Sequence, residues 1–228
     1  MVCVVQTYDP PHPTYPLVRS VTTGDDAGSG VSSHVITLPT GIAAGDRVII
    51  LFATRETPDA TWPAGWSEFY DGGNTGQIAQ AGAYRDCDGT EGGTTITVTT
   101  GATRACAWHV WWLSRGNFIA GVAPEAGTVA TGSSTTPDPP TVAPSWGASV
   151  PSLLITAVSL KNSAAPPTVS SWPTNYTDNQ TQEVGSGVNH ALHAASRQAS
   201  TASENPGTFT LSGSEQWAAQ TIAVRIAS

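Results

Sequence analysis

The chain repeats itself. Residues 36–56 read ITLPTGIAAGDRVIILFATRE and residues 141–161 read TVAPSWGASVPSLLITAVSLK, with Pro39 falling on Pro144 and residues 48–51 on 153–156. Further along, Pro63-Ala-Gly-Trp66 answers Pro173-Thr-Asn-Tyr176, Ala83-Tyr-Arg85 answers Ala195-Ser-Arg197, and Glu91 answers Glu204. Thr95-Ile-Thr-Val98 then answers Thr208-Phe-Thr-Leu211, and residues 106–114 answer 219–227. The offset drifts from 105 (Val48 to Leu153) to 113 (Cys106 to Ala219), so the second copy carries a few more residues in its loops. Self-similarity on this scale limits the fold to two copies of one supersecondary unit, of about 100 residues each.

Each copy reads as the same series of strands. An opening strand (residues 34–38; 140–143) leads through a Gly/Pro turn into a strongly apolar one (47–54; 153–161). A proline-rich loop, an aromatic strand start (66–70; 176–178), a small-residue strand (77–85; 188–197), a Thr-rich strand (94–99; 207–212) and a closing strand (105–114; 218–227) follow. Short β-rich runs punctuated by turn residues predict an all-β, jelly-roll-like β-sandwich of two tandem homologous repeats packed together. The near-continuous apolar run 48–53 predicts a central strand covered on both faces. The organisation is a Pro-rich extended arm over 1–16, a first repeat over 17–116 and a second over 117–228; separate sandwiches and one pseudo-symmetric domain remain open. In the arm, YDPPHPTYP imposes an extended, polyproline-like path. Tyr8, Pro10, Pro11 and Tyr15 are its candidate contacts with a neighbouring subunit, against the plainer reading of a floppy leader.

Charge narrows the function. Only 11% of residues are charged, Lys161 is the single lysine, and the formal charge of −8 argues against a nucleic-acid groove, which needs clustered Lys and Arg. No apolar run reaches the roughly 18 residues of a membrane span. The start MVCVVQTYDPPHP has neither the basic region nor the apolar core of a signal peptide, and the expectation is folding in a cytoplasm. Cys3, Cys87 and Cys106 are an odd number without ligand spacing and read as free thiols, with a Cys87–Cys106 bridge as the alternative.

Candidate chemistry is thin. There is no Gly-x-Ser-x-Gly elbow, phosphate loop or HExxH motif. His190 and His193, three apart on a strand, point to opposite faces and make poor joint ligands. Asp86-Cys-Asp-Gly-Thr-Glu91 spaces oxygen ligands as a calcium loop does, but its counterpart keeps only Glu204. A turn in which Glu91 and Glu204 accept backbone N–H bonds explains both copies. No enzyme, metal or cofactor is expected.

The segment RACAWHVWWLSRG (104–116) holds three of the eight tryptophans. Its counterpart AQTIAVRIA alternates, with Ile222, Val224 and Ile226 on one face and Thr221, Ala223 and Arg225 on the other. Trp111 then takes the place of core Val224, and His109 reads as a core histidine. Trp108 and Trp112 stand where the second copy keeps Thr221 and Arg225, and they are the candidate subunit-interface or ligand-contact residues. Burial by the other half or by a loop, contact with another subunit, and sugar stacking are their three readings.

Strings such as LPTGIAAGDRVIILFA, WPAGWSEF, YRDCDGTEGGTTITVTT, EAGTVATGSSTTPDPPTVAPSWG and SEQWAAQTIAVRIA resemble a class of β-rich proteins encoded by tailed bacteriophages and prophages. The resemblance spans roughly residues 17–228. It implies a virion structural protein made in a host bacterial cytoplasm: a capsid decoration or cement protein, or a tail-associated carbohydrate- or receptor-binding module. The implied partners are other virion proteins (major capsid or tail subunits), further copies of the chain in a homo-oligomer, and a host-surface glycan. It brings no catalytic residues.

Overall fold

The computed structural model describes residues 15–26, 30–56, 59–148, 150–161, 167–184 and 190–227. Every regular element among them is a strand, and no helix among them is long and apolar enough to cross a membrane.

The first half builds an antiparallel sheet in the order β1 (Val18–Asp25), β7 (Cys106–Leu113), β3 (Arg47–Glu56), β5 (Gln77–Asp86), β4 (Ser67–Asn74). A two-stranded sheet of β2 (Val31–Thr37) and β6 (Thr95–Arg104) lies over its outer face. The second half builds a sheet in the order β12 (Thr177–Glu183), β13 (His190–Ala199), β10 (Ser152–Lys161), β15 (Glu215–Arg225), with β8 (Glu125–Ala126) and β9 (Ala130–Ser134) both on the far edge of β15. Its outer face carries the pair β11 (Val169–Ser171) and β14 (Thr210–Leu211).

The two large sheets face one another. Ile49, Leu51, Trp111 and Leu113 of one share a fully buried cluster with Leu153, Ile155, Ile222 and Val224 of the other. Polar bonds cross the same seam: Gln80 Nε2 donates to Ala218 O at 2.6 Å, and Asn74 Nδ2 to Gln216 Oε1 at 2.7 Å. The opposite face of β3, with Val48, Ile50 and Phe52, packs under Ile36 and Val98 of the β2–β6 pair. The central strand is therefore covered on both sides, as its apolar run predicts.

One detail of the repeat alignment needs correcting. Matching Val48 to Leu153 joins residues on different faces, because Val48 lies beneath β2–β6 whereas Leu153 lies between the large sheets. Both strands are apolar on both faces, so the pattern carries no phase with which to choose the register. The turn match holds: Trp66 N bonds Pro63 O and Tyr176 N bonds Pro173 O, each at 3.2 Å. The third residue of both turns is left-handed, Gly65 at φ 86° and Asn175 at φ 67°, as a type II turn requires.

Candidate functional site

Strand β7 sorts its three tryptophans. Trp111 is wholly buried between the large sheets. Trp108 and Trp112 lie on the other face, and the chain itself covers much of them. Trp108 is 8% exposed, with its indole laid over Gly24 of β1; a Cβ there would sit 2.7 Å from Nε1. Glycine is what permits that approach.

Trp112 is half-buried. Its Nε1 donates to Asp46 Oδ2 at 2.9 Å, and the Arg19 guanidinium lies 5.7 Å from the ring centroid. Burial works against the Asp46 carboxylate, but N–H bonds from Ala43, Arg115 and Trp112 outweigh it and hold its pKa below the ordinary value. Of the arm candidates, Tyr15 is half-buried, and Tyr8, Pro10 and Pro11 lie outside the described residues. The chain leaves the arm at Pro16, whose carbonyl accepts from Gln198 Nε2 at 3.3 Å.

Open grooves lie on the surface of the described residues. One of about 430 Å³ lies where that arm joins the body, between Leu17 and Val18 on one side and Asn175, Asp178, Ser196 and Arg197 on the other. The second, about 310 Å³, runs between β1 and β2 with Trp108 in its lining beside Thr22, Val35 and Thr37.

Several titratable groups are internal. Burial pushes His109 down to about 3, helped by neighbouring His193, while the Leu192 backbone pulls the other way. Burial likewise takes His193 down to about 4; its Nδ1 lies 3.0 Å from Thr181 Oγ1 and its ring meets the Trp172 edge. His193 faces outward with Trp172, whereas His190 shares strand parity with Leu192 and Ala194 of the inter-sheet cluster, so the two do face opposite ways.

The acidic turns at Glu91 and Glu204 differ. Glu91 accepts from the backbone N–H groups of Asp88 and Gly89 and pairs with Arg85 at 2.7 Å. Glu204 instead takes the Tyr176 hydroxyl at 3.1 Å and Arg197 at 2.9 Å, and among the described residues no backbone N–H donates to its carboxylate. Asp86 is drawn out of the loop by a bidentate pair with Arg47 at 2.6 and 2.9 Å.

Sequence reasoning missed one cluster altogether. His34 of β2 has its Nδ1 2.7 Å from Asp26 Oδ2, which also accepts from Cys106 N at 2.9 Å. Its Nε2 lies 2.9 Å from Thr100 Oγ1 and 3.5 Å from Cys106 Sγ. His34 and Cys106 are fully buried, and the ring edge of Phe52 closes one side. Burial raises the Cys106 thiol well above its ordinary pKa, and Cys87 is pushed up to about 12 for the same reason, with Glu91 adding to it. Both thiols are free. His34 stands 8 residues from Asp26 and 72 from Cys106, so no local spacing announces the group.

No protein-family model matches the chain, and no curated protein or solved structure is significantly similar to it.

Proposed function

We propose that the protein is a non-enzymatic virion structural component of the capsid decoration or cement type, built from two tandem copies of one sandwich unit. The repeat reading is supported by strand order: β1-β7-β3-β5-β4 in the first half parallels β8-β15-β10-β13-β12 in the second. The functional reading rests on the resemblance to phage-encoded β proteins and on one structural observation. The arm joins the body at the seam of the two halves, beside the groove lined by Leu17, Asn175 and Arg197. The prolines in the sequence YDPPHPTYP leave little chain entropy to lose on docking against a neighbouring subunit.

The test is incorporation. Particles sedimented from cells whose genome encodes the chain should carry it. A variant lacking residues 1–14 should stay folded and remain in the supernatant. Unchanged incorporation of the truncated protein would defeat the proposal.

An alternative, a tail-associated carbohydrate- or receptor-binding adhesion module, draws on the Trp108-lined groove between β1 and β2. Glycan-array binding lost on Val35→Lys at the groove wall would favour it; a silent array would remove it.

A further inference from the structure

We propose that His34 and Cys106, with Asp26 behind the histidine ring, form a site for a divalent, thiophilic metal ion of the zinc type, held between the β2–β6 layer and the first large sheet. One ligand atom from each of the three lies within 4.8 Å of the others. The key distance is 3.5 Å from His34 Nε2 to Cys106 Sγ. With Zn–N near 2.0–2.1 Å and Zn–S near 2.3 Å, a tetrahedral angle separates the two donors by about 3.5 Å. They already stand at that separation.

The surroundings suit the ion. Asp26 occupies the other ring nitrogen, so its carboxylate accepts a hydrogen bond from Nδ1–H and leaves Nε2 facing the thiol; metal-bound histidines are commonly oriented this way. Thr100 Oγ1, 2.9 Å from Nε2, adds an oxygen on the same side. Charge balances as well. Binding releases the Cys106 proton to solvent, and one thiolate with one aspartate neutralises a dication inside an otherwise apolar layer containing Phe52 and Trp108. The ion itself stabilises the thiolate that burial disfavours. The nearby charged groups are the Arg104–Glu56 and Arg104–Asp59 pairs, at 2.6 and 3.3 Å, which occupy one another. The path in passes Asp26, the least buried of the three, with 8% of its side chain exposed.

Cobalt(II) is the probe. It is titrated into a Cys3→Ser/Cys87→Ser variant, where Cys106 is the only thiol, both in the folded state and during refolding from urea. The expected result is a near-ultraviolet thiolate-to-cobalt band with tetrahedral visible bands, saturating at one equivalent and displaced by zinc. His34→Gln should abolish it, and Asp26→Asn should weaken binding about 10- to 100-fold while keeping the band. A folded sole-thiol protein that shows no thiolate band by either route overturns the proposal. So does a band that survives His34→Gln unchanged. Attribution to Cys106 rests on the sole-thiol background, so it stands even if Cys106→Ser fails to fold.

Discussion

Trp111 is the side chain whose removal most directly tests whether the two large sheets share one core. It is wholly buried on β7, between β1 and β3, and faces Leu153, Ile155 and Val224 across the seam. Replacing a buried tryptophan by alanine costs about 3–5 kcal/mol, the larger values applying where neighbours cannot collapse. Here the cavity would be walled by hydrogen-bonded strands on both sides, so Trp111→Ala should lie near 4 kcal/mol, a large part of the 5–15 kcal/mol typical of a domain. Phenylalanine separates two components of that cost. It gives up part of the ring, roughly 1–2 kcal/mol of transfer and cavity terms. It also removes an indole N–H that meets no acceptor among the described residues, and such an unpaired buried donor costs about 1–3 kcal/mol. The two nearly cancel, so Trp111→Phe should fall within about 1 kcal/mol of the parent. Urea unfolding followed by far-ultraviolet circular dichroism, with the slope checked for constancy, measures both. An alanine cost below about 1 kcal/mol would refute the shared core. A phenylalanine cost equal to that of alanine would refute the account of the N–H.

Three further outcomes follow from the same geometry. His109 and His193 are neutral in the fold, with pKa values lowered to about 3 and about 4, whereas the unfolded chain takes up protons below about 6.5. Stability should therefore fall as pH drops from about 6.5 toward those values, by about 1.4 kcal/mol per pH unit for each histidine, and His109→Gln should flatten the slope by one proton in urea titrations between pH 4 and 7. Arg47 is buried against Asp86, with Tyr84 and Phe118 rings 4.7 and 4.4 Å from its guanidinium carbon. Asp86→Ala should cost about 3 kcal/mol or more by leaving that cation unpaired, and Arg47→Met should cost less, because Asp86 keeps the Gly121 N–H; chemical denaturation ranks the two. Gly24→Ala drives a methyl into the Trp108 indole and should cost about 1–3 kcal/mol; in a double-mutant cycle Trp108→Leu should recover most of it.

The amino-acid sequence by itself determined the β class, the position of most strands, the double coverage of β3 and the burial of Trp111. The first three follow from a local period or an uninterrupted apolar run, which survive without knowledge of neighbours, and the fourth follows from the alternation of the matching strand that ends in AVRIA. Strands β1, β8, β9 and β11 escaped the reading because they are edge or very short strands whose exposed, polar residues carry little alternation. Only the tertiary structure decided the rest. Because β3 and β10 are apolar on both faces, nothing local says which face meets the other sheet; the stacking of layers put Ile49 and Leu153 together and set Val48 apart. The same stacking laid Trp108 on Gly24 and brought Asp26, His34 and Cys106 to one point, from three segments related in sequence by no spacing. A periodic pattern specifies a face, whereas a constellation depends on which faces are pressed together, and that is a property of packing over the whole chain.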